Sequence, residues 1–245
     1  MSSARASTVQ SRLNQASPGA QEDIHDLVIE HCDVMVAAMD ALVDFVKDVR
    51  TEKAKRAREV EKRGNEIKVH NLHRLNSVPT ASTPDAHFYR TIVILDMLIN
   101  DASKTGREID WLEVEPDRFM LQIAAELNMG ARSLRDGFYQ LRKNRAAAVK
   151  HSRAAQKVER EVERIYRRAE AKLFEPDDML EHLIPGKPYS KAKEQAMQAV
   201  LEMMRRREIF RILSKGADHL AWAAAQLRNM IATDPPILGI DVRTL

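Results

Sequence analysis

The sequence predicts an all-α fold, built as two tandem, pseudo-symmetric three-helix bundles. Its composition is the first observation: only 8 of the 245 residues are Gly and 9 are Pro, while strong helix formers are abundant. Aromatic residues, the second observation, make up 5% of the chain, which is too few for a typical β-sandwich. The third is an internal echo of polar residues, which indicates two related helical units.

In the first half, apolar residues recur at the helical spacing of 3.6 and predict three helices. The first is predicted over residues 24–49. A charged stretch, 50–58, then leads into a second helix that ends near Asn76. Prolines that cannot lie inside a helix indicate a loop over 77–84. A third helix follows over about 85–104, with Gly106 as its stop.

The second half repeats this order of elements after a connector that carries Trp111. Pro116, a common first residue of a helix, begins a fourth helix that reaches about Asn144. A fifth helix is predicted over about 146–174. After a second proline-containing loop, Ser190 is predicted to cap a long last helix that ends near Ala232.

These elements divide the chain into four segments. Each half is too short for a four-helix bundle alone, so each is expected to bury one apolar stripe from each of three helices. The predicted segments are a disordered tail over 1–21, a first three-helix bundle over 22–112, a second over 113–233 and an irregular tail over 234–245. The first tail also weakly resembles an organelle transit peptide, because it carries no acidic residue.

Charge, cysteine content and motifs exclude several classes of protein. The 39 Lys and Arg nearly balance 36 Asp and Glu, and the two signs alternate, so no nucleic-acid partner is predicted. The single cysteine, Cys32, excludes a disulfide framework and fits a reducing compartment. No segment approaches the roughly 20 apolar residues of a membrane span. Because phosphate-loop, hydrolase and metalloprotease motifs are absent, the protein is not predicted to be an enzyme.

The internal echo consists of four polar pairs at i, i+4 spacing. They are Glu61/Asn65, Asp96/Asn100, Glu159/Glu163 and Ser214/Asp218. Each pair follows the apolar stripe by one residue, so it is expected at the margin of the core, where two helices could face each other. Converging carboxylates need a compensating cation, and helical bundles build oxygen-rich metal sites in this way. A solvated helix face is the competing interpretation.

Histidine offers a second route to a metal site. His70 and His73 share a face of the second helix, but without an identifiable partner they are interpreted as surface or interface residues. His31 lies in the first apolar stripe and is predicted to be a core histidine whose hydrogen bonds are satisfied. The role of His219 stays open between a ligand and an exposed side chain. Cys32 beside His31 is no catalytic pair, because adjacent helical residues point about 100° apart.

At these positions the chain resembles the PhoU-related family of cytosolic proteins encoded with Pit-type phosphate transporters. The likeness spans roughly residues 24–232. It is carried by Glu59 to Asn76 on the second helix, Leu95-Asp96-x-x-x-Asn100 on the third, Glu159 to Phe174 on the fifth and Glu208 to Asp218 on the last. The resemblance implies two pseudo-symmetric three-helix bundles and a cytoplasmic protein, peripheral at the inner face of the membrane.

The resemblance also implies metal clusters, often of iron or zinc, held by Glu/Asp-x-x-x-Asp pairs. The second-half candidate site consists of Glu159, Glu163, Ser214 and Asp218. The first-half candidate site consists of Glu61, Asn65, Asp96 and Asn100. Neutral side chains at Asn65, Asn100 and Ser214 replace the family's carboxylates, which weakens the hold on a transition metal. The second site keeps more carboxylate and is the better candidate.

The function implied by the resemblance is regulation of inorganic phosphate transport. The protein would dock on a Pit-like transporter, on another membrane protein at the cytosolic face, or on a phosphate-signalling partner. One alternative is a carboxylate-bridged metal-binding helical protein, acting as a store or an oxidase. Another is a structural helical adaptor without metal. Whether the chain forms a homo-oligomer stays open.

Overall fold

The computed structural model describes residues 18–48, 51–77, 83–175 and 189–233. Within these ranges the secondary structure consists of six α-helices and contains no strand, which confirms the predicted all-α class. In chain order the helices are α1 (Pro18–Lys47), α2 (Thr51–Ser77), α3 (Thr83–Trp111), α4 (Arg118–Gln140), α5 (Arg145–Leu173) and α6 (Tyr189–Thr233).

Several helix ends differ from the predicted ones. α1 begins at Pro18, inside the tail predicted over 1–21; residues 1–17 and the predicted tail over 234–245 lie outside the described residues. The charged stretch over 50–58 was predicted as a connector, but α2 is already helical from Thr51, since long charged side chains are good helix formers. Likewise α6 begins at Tyr189, so Ser190 lies within the helix.

The prediction that Gly106 ends the third helix is wrong, because α3 continues to Trp111. The helix ends where Glu113 adopts the left-handed conformation, with φ of 52°. There the Val114 amide donates to the Ile109 carbonyl at 3.0 Å, a closing hydrogen bond of the kind that commonly ends helices. Gly106 is buried in the helix and tolerated because its flanking turns are held by tertiary packing.

Polar N-caps mark where α4 and α5 begin. Asp117, rather than Pro116, caps α4, and its carboxylate accepts from the Phe119 and Met120 amides. α4 ends at Gln140, and Asn144 caps α5 by accepting from the Ala147 amide at 3.0 Å. Asn144, predicted as the end of the fourth helix, is therefore the start signal of the fifth.

The helices pack as two groups of three around one continuous core. α1, α2 and α3 contact one another, and so do α4, α5 and α6, while α1 with α4 and α3 with α6 join the groups. The apolar stripe predicted on α5, with Val158, Val162 and Ile165, is buried in this core. The boundary between residues 112 and 113 stays a prediction, because the buried cluster is shared by both groups.

Candidate functional site

The first-half candidate residues lie along the seam between α2 and α3. Glu61 of α2 faces α3, where Ser103 Oγ donates to its carboxylate at 2.5 Å and Arg107 Nη1 donates to both of its oxygens at 2.6 Å. Burial acts to raise the pKa of Glu61, but the hydrogen bonds from Arg107 and Ser103 outweigh it, so this pKa lies below its usual range. Glu61 is therefore a charged carboxylate with its own cation.

Asp96 lies two turns of α3 before Ser103 and has a different cation. Its side chain is buried, and Lys68 Nζ donates to its Oδ2 at 2.6 Å while Asn100 Nδ2 donates to the same oxygen at 3.0 Å. The other oxygen, Oδ1, has no hydrogen-bond partner in the described part of the chain. A buried carboxylate of this kind needs a compensating charge, and Lys68 supplies it.

Asn65 does not join the seam. Its neighbour Gly64 is the buried residue, against Ile99 of α3, while Asn65 is exposed. Asn65 instead lines a shallow surface depression with Val69, His70 and His73. The two histidines are exposed, as predicted for surface residues.

These residues do not fit a carboxylate-bridged metal cluster. Glu61 contacts α3 at Ser103, which lies seven residues after Asp96. Since seven residues of helix rise by about 10 Å, the two carboxylates are separated by roughly that distance along the seam. Arg107 and Lys68 already neutralise them. Among the residues that the structure describes, no three His, Cys, Asp or Glu side chains converge in a way that could hold a metal ion. Occupancy by iron or zinc stays a prediction.

Among the described residues, the second-half candidates do not form a metal-binding group of Asp and Glu either. Glu163 accepts from Arg167 of its own helix at 2.7 Å, Glu159 and Ser214 are partly buried, and Asp218 is exposed. The side chain that crosses to another helix is His219, one residue on. Its Nδ1 lies 2.5 Å from Asp101 Oδ2 of α3, and it is buried. A shift of one residue turns a helical side chain by about 100°, which explains why Asp218 misses the interface.

The first bundle also contains a buried polar contact between a histidine of α1 and an asparagine of α2. His31 is fully buried, as predicted, and its Nδ1 lies 3.4 Å from Asn71 Nδ2, which also donates to the Leu27 carbonyl at 3.1 Å. Its Nε2 has no hydrogen-bond partner among the described residues, so the prediction of satisfied hydrogen bonds is wrong at this atom. Burial lowers the pKa of His31 to about 4; nearby Lys68 acts in the same direction and Asp96 opposes it. The imidazole is therefore neutral at neutral pH. Burial likewise raises the pKa of the Cys32 thiol, which keeps it protonated.

The sequence reasoning missed the three side chains that hold the seam carboxylates: Lys68, Ser103 and Arg107. A usable signal was present. Lys68 lies seven residues after Glu61 and Ser103 seven after Asp96, so on each helix the two residues share a face. Two antiparallel helices that carry such pairs can set Lys68 opposite Asp96 and Ser103 opposite Glu61. Arg107, one turn beyond Ser103, neutralises Glu61 without a metal.

Comparison with known proteins supports the architecture but not a sequence family. No protein-family profile matches the chain, and no curated protein matches it. The crystal structure of PhoU from Pseudomonas aeruginosa matches with a TM-score of 0.68 and 13% identity, over 88% of this chain and 99% of that one. The chain has a PhoU-like fold. At this identity the likeness establishes the fold alone, and it confirms the architecture that the sequence resemblance implied.

No helix among the described residues of this PhoU-like chain is long and apolar enough to cross a membrane.

Proposed function

We propose that this protein is an accessory or regulatory protein of inorganic phosphate transport, acting by docking rather than by catalysis. The observation that supports the proposal is the PhoU-like fold over 88% of the chain. The sequence segments that resemble the PhoU-related family fall on the helices that this fold requires. Its partner would be a Pit-like transporter, or another phosphate-signalling protein at the cytosolic face of the membrane.

The N-terminal half of α6 offers a surface for such a protein partner. Met197, Leu201 and Met204 follow one face at spacings of four and three residues, and they are 55%, 39% and 60% exposed. Exposed apolar side chains at this spacing are how amphipathic helices fit into a partner's groove. Methionine adapts readily to such a groove, because its side chain is flexible and polarizable.

Deletion of the gene and cross-linking in cells test this proposal. Deletion should change the rate of phosphate uptake, and the protein should cross-link to a phosphate transporter or signalling partner. Leu201→Asp with Met204→Asp should lower the cross-linked fraction at least about fivefold, since two charges would be forced into an apolar contact. Met129→Asp is the control, because Met129 is also exposed, at 53%, but lies on α4. Unchanged uptake together with no cross-linked partner would reject the proposal.

The two alternatives are outcomes of the same set of measurements. A metal store or oxidase requires stoichiometric iron or zinc in the purified protein, lost when Glu159 and Asp218 are replaced by alanine. The ion-paired seam of the first half does not favour it. A structural adaptor requires stable partners but no change of phosphate uptake after deletion.

A further inference from the structure

A row of exposed cations follows the outer face of α5. The exposed residues of this helix are Lys, Arg and Ala, and none is acidic. The cations, which we call the basic row, are Lys150, Arg153, Lys157, Arg160, Arg164, Arg167, Arg168 and Lys172. Successive cations are three or four residues apart, except for the adjacent Arg167 and Arg168, so they share one face over about 33 Å of helix.

The first half of the basic row is electrostatically uncompensated. Lys150, Arg153, Lys157 and Arg160 make no ion pair or hydrogen bond within the described residues. The acidic residues of α5 lie on its flanks, where Glu161 and Glu163 bind only cations of the second half, Arg164 and Arg167.

The charge of the molecule is strongly polarised between helices. α5 carries nine Lys and Arg against four Glu, and α2 and α6 each carry eight against four acidic residues, whereas α1 carries seven Asp and Glu against one Lys. α4 packs against both α1 and α5 and separates their outer faces. The near-neutral total of +3 therefore conceals local concentrations of charge, and such a concentration can orient a molecule at a charged surface.

We propose that the basic row is the surface with which this protein lies against an anionic phospholipid bilayer. The inference rests on the proposed function, which places the partner at the membrane. A straight row of long, flexible cations suits mobile lipid headgroups, and such residues are attracted to an anionic leaflet. Phe174, 52% exposed, follows Lys172 at the end of the row, where an aromatic ring fits the bilayer interface.

The outer face of α5 lacks features that are typical of nucleic-acid-binding proteins. Only alanines, Ala154 and Ala171, are exposed between the cations, so the row has no aromatic platform along its length on which successive bases could stack. The acidic residues of α1 would also oppose wrapping by a second polyanion segment. A bilayer touches only one side of the molecule, which matches a row of cations confined to one face of α5.

Vesicle flotation of the full-length protein tests the proposal. The wild type should bind phosphatidylcholine vesicles containing 30 mol% phosphatidylglycerol at low salt. It should not bind pure phosphatidylcholine, and 1 M NaCl should release it, because the screening length falls to about 3 Å. The row variant replaces four cations with glutamine, a good helix former: Lys150→Gln, Arg153→Gln, Lys157→Gln and Arg160→Gln. Each cation near an anionic surface contributes roughly fivefold, so partitioning should fall by at least about 100-fold.

A matched control removes the same charge elsewhere. It combines Lys62→Gln, Arg63→Gln, Arg90→Gln and Lys215→Gln, all at exposed positions outside α5. This control should keep partitioning within about fivefold of the wild type, since its cations do not face the bilayer. Melting curves of both variants show whether either has lost its fold. Equal losses of vesicle binding in two folded variants would overturn the proposal, because net charge rather than the row would then decide binding.

Two further results separate this inference from the proposed function. Binding to a 30-base-pair DNA duplex without binding to anionic vesicles would overturn the membrane assignment in favour of a nucleic-acid surface. A wild type that ignores vesicles, yet alters phosphate uptake and cross-links to a transporter, would reject the basic row alone. Vesicle binding without any effect of gene deletion on phosphate uptake would reject the proposed function alone.

Discussion

A buried carboxylate is ion-paired between α2 and α3 in the first half, whereas the ion pair between α5 and α6 in the second half, Arg207 with Glu170, is more exposed and accompanies buried apolar contacts. At the first seam, Asp96 with Lys68 and Glu61 with Arg107 are the cross-helix ion pairs. In the second half, Gly130 of α4 instead lies against Leu220 and Val158. Pseudo-symmetric helices can thus be held together by different chemistry, provided that each seam satisfies its own polar groups.

The two halves should differ most in the loss of stability that follows when one cation is removed from each. Lys68→Met leaves the buried Asp96 carboxylate without its counter-charge, which should lower the free energy of unfolding by roughly 2–4 kcal/mol. Arg167→Met breaks a pair in which both side chains are largely exposed, at 75% and 45%, and should cost less than about 1 kcal/mol. Urea denaturation at pH 7 measures both.

A double variant checks the mechanism of this loss. Lys68→Met combined with Asp96→Leu removes both charges, so most of the lost stability should return, because the cost arises from the unpaired carboxylate. If Lys68→Met is no more destabilising than Arg167→Met, the α2–α3 seam does not depend on its ion pair and the contrast between the halves fails.

As the pH falls, the first half should lose stability at a higher pH than the second. The pKa of His31 in the folded chain, about 4, lies below its unfolded value of about 6.5, so the unfolded state binds a proton first as pH falls. Stability from this residue is complete above pH 6.5 and is lost between about pH 6.5 and 4. Between pH 7 and pH 5 the loss should reach about 2 kcal/mol. The lowered pKa of Glu61 adds a further loss only at still lower pH.

Amide hydrogen exchange at pH 7 and pH 5 locates this effect, since α1 to α3 should lose protection and α4 to α6 should keep it. The variant His31→Gln cannot titrate there, and it should flatten the pH dependence of urea unfolding. His73→Gln, at an exposed position of α2, is the control and should leave the dependence as in the wild type. Equal loss of protection in both halves would contradict the assignment to His31.

The sequence predicted the fold better than the candidate site, for a physical reason. Apolar stripes such as Val158, Val162 and Ile165 determine which helix faces are buried, and that pattern depends only on spacing along one helix. Whether Glu61 meets a metal or Arg107 depends on the register between two helices, which no single-helix pattern contains. The alignment of His219, rather than Asp218, with Asp101 depends on the same register.

The one-sided distribution of cations on α5 was not predicted from the sequence, for a related reason. Along the chain of α5 the Glu and Lys or Arg residues alternate, which suggested a mixed solvated face. In the structure the glutamates are half-buried on the flanks of α5, and the cations lie on its exposed outer face. Counting charges by helical position, rather than in sequence windows, would have revealed the basic row.

A glycine substitution in α4 tests the apolar contacts of the second half. A Cβ atom at Gly130 would overlap Leu220 Cδ2 and lie 3.3 Å from Val158 Cβ. Leu220 can rotate, but Val158 is β-branched and stiff, so α4 must move. Gly130→Ala should therefore lower the free energy of unfolding by about 1–2 kcal/mol, even after the gain in helix propensity. Thermal unfolding should show a lower midpoint than that of the wild type.

Gly106 of α3 should respond in the opposite direction, with the smallest effect. A Cβ atom there would meet only Phe45, with its nearest atom at 3.8 Å, which is ordinary contact. Since α3 is helical through this position, Gly106→Ala removes conformational freedom from the unfolded chain and should stabilise the protein by about 0.5–1 kcal/mol. A raised unfolding midpoint would confirm that Gly106 is an ordinary helical residue. A lowered one would mean that α3 needs glycine there, as expected of the helix stop that the sequence suggested.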